Sequence, residues 1–356
     1  MERTVLNAPR WTDPVASRGF YEVWYVVASE RKAGFGLWVR YAVDLARDGT
    51  PAFSLWGSWF ERDHSERSFA LKNTLPAAAI GRRSEVRFGA ASLTAEACSG
   101  EVEGGRHSLR WRLSFGQGPP GEEVIPGWLA PVAKLRGSGM ALAHPATTVT
   151  GAVEVDGRMI DFQRVAAGQA HLWGRRRYPA WAWARCSAFA EDPEASIDLI
   201  DVEGPAGVRV PIFTFRFRGE THRFADLPWI AQCSSAPAAP SWHFSANDAR
   251  LAIDGVVHAG PDQMARVQYL DADGKIRHCS NTEIASMEVR VRARAFPGSA
   301  WRPEATLTSK SGASLEFCGR AADSRVRNVL LNTEAPARST QQQNEAPPTG
   351  FMASSP

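Results

Sequence analysis

Trp181 and Trp183 stand two residues apart with Arg185, so on a strand all three share one face, while Ala180, Ala182, Ala184 and Cys186 share the other. A face of small residues suits close packing on a neighbouring layer, which leaves the indole face to wall a cavity. Thirteen Trp against five Tyr make this the outstanding feature of the composition, and Trp38, Trp56, Trp59 and Trp173 recur in similar alternation. Indole rings offer flat apolar walls, and their faces attract a cation. The candidate ligand-binding set is Trp38, Arg40, Trp56, Trp173, Arg175, Tyr178, Trp181 and Trp183. For any single Trp the competing use is ordinary core packing.

Three residues are candidate acids. His171 precedes Trp173 by two positions and carries the side chain that titrates closest to neutral pH, so it is read as a proton donor, a ligand-orienting group or a hydrogen-bonded structural His. Glu154 and Asp161 flank the Asp156-Gly157 turn and are the nearest carboxylates in sequence to the Trp-rich stretch. Buried against Trp, either would gain the raised pKa that protonation of an alkene requires; on an exposed hairpin neither would. Arg175, Arg176 and Arg177 are read as a grip for an anionic head or as a solvated charge run with at most one or two members facing inward. Glu22 and Arg40 fall on neighbouring strands, where a buried structural pair inside the first barrel is expected.

Several classes are excluded. The sequence has no H-E-x-x-H, C-x-x-C, G-x-x-x-x-G-K-[ST] or G-x-S-x-G, so no metal and no cofactor are expected. Net charge is +3 and 36 of the 41 basic residues are Arg, scattered along the chain, which argues against a nucleic-acid partner. No apolar run approaches the roughly 18 residues of a membrane span, so stable membrane insertion is not expected. The five Cys are odd in number and widely spaced, which reads as reduced thiols, and the opening residues lack a secretory pattern. Together these point to a cytoplasmic protein; oligomeric state is left open.

The elements that must position these residues are strands. Period-two alternation runs through 37–45, 52–61, 107–115, 148–155, 180–189, 212–218 and 287–294, and the first of these reads as amphipathic. Asp-Gly pairs at 156–157, 254–255 and 273–274 read as hairpin turns. Helical candidates near 65–73 and 247–251 are short. A Gly/Pro-rich break at 116–127 and 137–139 reads as a linker or rim loop, and 234–240 as a surface crossing. Many short strands without alternating helices imply closed β structure, which removes exposed edges. At 356 residues two units are expected: 15–140 and 146–332, followed by a disordered polar tail at 335–356.

The stretch 168–189, with Trp173-Gly174 followed by Tyr178, Trp181 and Trp183, resembles the Trp-Gly signature of the lipocalin-like superfamily that contains carotenoid 1,2-hydratases, tocopherol cyclase and AttH-type proteins. Tyr21-Glu22-Val23-Trp24-Tyr25 and Leu37-Trp38-Val39-Arg40-Tyr41 are similar to its first strands, and 149–157 falls where its second half begins. The resemblance implies an all-β chain of two tandem lipocalin-like antiparallel β-barrel halves. Relatives often carry His-Asn before Trp-Gly and a His after it; here Ala170-His171-Leu172 precedes Trp173, and three Arg follow Gly174.

Three functions fit. The first is a cofactor-independent enzyme that hydrates, cyclises or isomerises an apolar isoprenoid- or polyketide-like molecule within a Trp-lined barrel cavity, a reaction of secondary metabolism. The second is a non-catalytic carrier of a lipid-like ligand. The third is a carbohydrate-binding β protein, since paired Trp also stack on sugars.

Overall fold

The computed structural model describes residues 2–11, 19–76, 86–271 and 274–334. The tail at 335–356 and Asp273 of the turn expected at 273–274 lie outside them.

Two antiparallel sheets are built almost entirely in chain order. The first takes β1 (Phe20–Glu30), β2 (Phe35–Leu45), β3 (Pro51–Glu61), β4 (Phe69–Leu75), β5 (Val86–Phe88), β6 (Ala91–Leu93), β7 (Ala97–Gly104), β8 (His107–Phe115), β9 (Glu122–Glu123), β10 (Gly139–Val155) and β11 (Arg158–Gly174). The second takes β12 (Trp181–Cys186), β13 (Ser196–Glu203), β14 (Arg209–Phe217), β15 (Glu220–Arg223), β16 (Ser234–Ala238), β17 (Ser241–Asn247), β18 (Leu251–His258), β19 (Ala265–Leu270), β20 (Ile276–Ala293) and β21 (Arg302–Gly319). β22 (Leu330–Glu334) returns to the first sheet and pairs with β4 in parallel. Two short helices, α1 (Arg3–Leu6) and α2 (Ala130–Arg136), lie outside the sheets.

Each sheet curls around its own core, giving two lipocalin-like halves. Trp24 of β1, Tyr41 of β2, Trp59 of β3, Trp111 of β8 and Phe162 of β11 meet inside the first. Phe213, Trp242, Met287 and Leu315 meet inside the second. β8 shows the pattern that alternation leads one to expect: Leu109, Trp111 and Leu113 are buried and the intervening Arg110 and Arg112 are exposed. β1, β2 and β3 depart from it, being buried on both faces over most of their length. β2 is therefore not amphipathic, because the second sheet covers its outer face and makes a third core from Tyr21, Tyr25, Trp38 and Trp56 against Ile212, Tyr269 and Cys279.

Two glycines permit this contact. A Cβ on Gly36 of β2 would stand 2.5 Å from the Cβ of Glu283 on β20 and 2.7 Å from its carbonyl oxygen. Gly168 of β11 leaves the space through which the Arg185 guanidinium of β12 passes.

Some sequence expectations meet a different outcome. Asp156 and Gly157, at φ 51° and 79°, form the expected two-residue turn between Val155 and Arg158. Asp254-Gly255 instead sits inside β18, where a Cβ at position 255 would meet the Glu288 carbonyl oxygen at 2.3 Å: this Gly serves close strand packing. Residues 234–238 are a strand rather than a crossing. The expected junction at 140–146 falls inside β10, whose register shifts around His144 and Pro145 interrupt the alternation without ending the strand. The chain changes sheet at 175–180 instead. Cys279 and Cys318 lie directly opposite each other on β20 and β21, with Cα atoms 4.1 Å apart, and form a disulfide, so the expectation of five reduced thiols is wrong for this pair. Their separation of 39 residues hid a pairing that only strand register creates.

Candidate functional site

The outer face of β1 and β2 and the facing side of β12, β13 and β14 do not close completely, and they leave a cavity of about 170 Å³. Its wall is mostly apolar and aromatic: Tyr21, Tyr25, Trp38, Trp181, Trp183 and Ile200 contribute from the two sheets. The segment around α2 covers it with Val124, Ile125, Leu129 and Met140. The strand parity of β12 produces the indole wall, because Ala182, Ala184 and Cys186 pack into the second core and turn Trp181 and Trp183 toward the first sheet. The cavity thus lies between the two halves, not inside either barrel. An apolar space of roughly 150 Å³ admits a benzene-sized ligand, so this one takes a small apolar body.

One carboxyl lines it. Glu316 of β21 is 8% exposed; Trp181 Nε1–H donates to its Oε1 at 2.6 Å and the Tyr269 hydroxyl donates to its Oε2 at 3.0 Å. Burial holds this carboxyl above the usual carboxylate range, against the opposing pull of those two hydrogen bonds and of Arg40 and Arg177. Burial also raises the Tyr269 phenol well above its ordinary value. The site therefore offers a buried acid hydrogen-bonded to a phenol, beside indole faces.

Of the residues expected from sequence, Trp38, Arg40, Trp173, Tyr178, Trp181 and Trp183 line the cavity together. Trp56 stands behind it, donating to Ser54 Oγ at 2.8 Å and presenting its ring 5.1 Å from the Arg40 guanidinium. Arg175 is exposed. The inward member of the Arg run is Arg177, which bonds Asp44 Oδ1 at 2.7 Å, Asp271 Oδ1 at 3.2 Å and the Leu270 carbonyl at 2.9 Å, and lies 4.3 Å from the Tyr21 ring.

None of the three expected acids lines the cavity. His171 is fully buried on the other face of β11, where its Nε2 lies 2.7 Å from Glu22 Oε1, its Nδ1 lies 2.6 Å from the Leu6 carbonyl, and Trp24 stacks on it at 4.7 Å. Glu22 also accepts from the backbone N–H groups of Arg10 and Trp11, so this cluster fastens the N-terminal segment to the first sheet. Glu22 and Arg40 do not pair: they occupy opposite faces, Glu22 opposite Val43 and Arg40 opposite Tyr25. Glu154 pairs with Arg110 at 3.0 Å on the surface, and Asp161 is exposed beside Gln163. Glu316 itself escaped the sequence reading. The available signal was a carboxylate between Leu315 and Phe317 on a strand, in step with Ser314 and Cys318.

The sequence model of a family described as tocopherol cyclase-like matches residues 113–319. Two uncharacterized proteins of Mycobacterium tuberculosis, from strains CDC 1551 / Oshkosh and H37Rv, are each 25% identical over 304 residues, which is 80% of this chain and 84% of theirs. Among solved structures, a protein assigned as AttH from Nitrosomonas europaea superposes with a TM-score of 0.54 at 12% identity, over 85% of this chain and 93% of that one. Kievitone hydratase from Nectria haematococca gives a TM-score of 0.49 at 9% identity, over 90% and 95% of the two chains. The AttH likeness concerns the fold.

Proposed function

This chain belongs to the tocopherol cyclase-like family, and from that premise we propose that it is a cofactor-independent enzyme which adds a proton to a carbon–carbon double bond of an apolar isoprenoid- or polyketide-like substrate held between its two halves. The observation that carries this reading is Glu316, a buried carboxyl held above its usual range in a cavity walled by Trp38, Trp181 and Trp183.

In the proposed step the Glu316 carboxyl gives its proton to one alkene carbon, so a C–H bond forms, the π bond breaks and the neighbouring carbon becomes a cation. The indole faces attract that cation and the apolar wall limits premature capture by water. An oxygen, from water or from the substrate itself, then bonds the cationic carbon and releases its proton, which restores the acid. Water gives hydration; a substrate hydroxyl gives a ring. Loss of a proton from carbon instead gives isomerisation. Trp181 and Tyr269 hold the carboxyl in place, and cavity shape favours one folded conformer.

Turnover of five-carbon prenyl alkenes such as 3-methylbut-2-enol and 3-methylbut-3-enol in deuterium oxide tests this, with mass spectrometry reading carbon-bound deuterium. One deuterium incorporated per product, lost in Glu316→Gln, supports the enzyme. Binding without incorporation across the panel would make the chain a carrier of the same class of ligand.

A further inference from the structure

Arg40 carries a buried charge that no ion pair among the described residues matches. Its side chain is 3% exposed and reaches the cavity, yet among the described residues no carboxylate forms an ion pair with it and its Nε has no hydrogen-bond partner. Rings surround it instead: the guanidinium carbon lies 4.3 Å from the centroid of Tyr269, 5.1 Å from Trp56 and 6.0 Å from Trp38. Ring faces attract the charge but use none of the five N–H donors of a guanidinium.

The surrounding charges leave the deficit in place. Asp44 and Asp271 are both engaged by Arg177, and Asp271 also faces Arg277 at 3.5 Å. Lys72 adds another cation on Trp56, 4.9 Å from its ring. Asp44 and, where ionised, Glu316 support the Arg40 charge through space without pairing with it, and burial favours the neutral form of Glu316. Burial likewise disfavours the charged form of Arg40. An uncompensated buried cation that lines an apolar cavity is a site prepared for an anion.

We propose that the ligand of this cavity is an amphiphile, an apolar body bearing one carboxylate, and that Arg40 receives the carboxylate through paired N–H···O bonds. A planar fork of donors fits a carboxylate bidentately, and the flanking rings fix its plane. The anion also serves the chemistry: an unmatched guanidinium in the cavity opposes the formation of a substrate cation, and a bound carboxylate offsets it. This inference rests on the reading of the cavity as an apolar-ligand site and adds the polar end of the ligand.

The test compares 3-methylbut-2-enoic acid, its methyl ester and 3-methylbut-2-enol by calorimetric titration of the full chain near pH 7.5, where an ordinary carboxylate is ionised. The acid is expected to bind about tenfold or more tightly than the ester or the alcohol. Arg40→Met, which removes an unmatched buried charge and keeps its volume, should bring the three together; Arg40→Lys, which keeps the charge without the fork, should retain part of the preference. Equal binding of acid, ester and alcohol by the native protein, or a preference that survives Arg40→Met, overturns the carboxylate assignment and leaves the apolar site standing. No binding of any of the three overturns both. Should Arg40→Met not fold, the native comparison and Arg40→Lys still decide.

Discussion

The Tyr269 hydroxyl donates to Glu316 Oε2 at 3.0 Å while the face of the same ring lies 4.3 Å from the Arg40 guanidinium carbon. One side chain thus joins two perturbed ionisable groups of the cavity, an acid pushed toward its neutral form and a cation that no carboxylate among the described residues pairs with. Both states follow from one cause, the desolvation produced when the second sheet covers the outer face of β1 to β3.

If Glu316 is the acid, Glu316→Gln should lower kcat by about 10²- to 10⁴-fold, the usual contribution of a positioned acid, with ligand affinity nearly unchanged. The acid form is present below its pKa, so kcat/KM should be level at low pH and fall as pH rises through it. Because that pKa is raised, the falling limb should lie above the 4.5 of an ordinary Glu. A pH profile that rises through this region would contradict the assignment.

His171, Glu154 and Asp161 should behave differently from Glu316. Glu154→Gln and Asp161→Asn alter surface groups and should leave turnover within twofold of the native protein, a threshold of roughly 0.4 kcal/mol. His171→Phe removes a partner from buried Glu22 and should cost about 3–5 kcal/mol, read as a fall in the urea midpoint, with kcat of the folded fraction retained.

Gly36→Ala should destabilise the contact between the sheets, because the added carbon meets the side chain and carbonyl oxygen of Glu283. Overpacking of this kind costs about 1–3 kcal/mol. It should also separate the sheets enough to weaken ligand binding, which a methyl group placed in either barrel core would not do. Thermal denaturation and ligand titration together check both parts.

Glu283 is fully buried and burial, the largest influence, holds its carboxyl well above the usual range, with the Ser314 hydroxyl and Arg185 opposing. The folded chain therefore binds a proton that the unfolded chain releases. This contribution to stability is complete below the unfolded value near 4.3 and is lost as pH rises through the folded value, at about 1.4 kcal/mol per pH unit in between. Glu283→Gln should remove that slope, so that the variant gains on the native protein as pH rises above the ordinary Glu value in urea titrations. A difference independent of pH would contradict it.

Thiol titration of unfolded, unreduced protein should count three thiols, Cys98, Cys186 and Cys233, and five after reduction. Cys279→Ser should lower stability by about 2–4 kcal/mol through the loosened unfolded chain.

Much of this architecture is readable from local pattern, and the exceptions have a common origin. Alternation is local, so β8, the Asp156-Gly157 turn and the split between the Trp and Ala faces of β12 follow from neighbours in sequence. What covers a strand is not local. Nothing within 37–45 announces that Trp38 and Arg40 meet another sheet, so β2 reads as amphipathic when it is buried on both faces. The same blindness hid Glu316, whose Ser314-Glu316-Cys318 face looks solvent-exposed until the second sheet is laid on the first. His171 shows a different limit: proximity to Trp173 in sequence does not say which face of β11 borders a cavity. Leu172 faces it and His171 does not.

The most direct measurement is native mass spectrometry of the chain incubated with small prenyl alcohols and acids, alongside Ile200→Trp, which fills the cavity from β13 without touching either barrel core. One ligand per native chain and none on Ile200→Trp is the expected result. Equal occupancy of the two proteins would place the ligand elsewhere and contradict a binding site between the sheets.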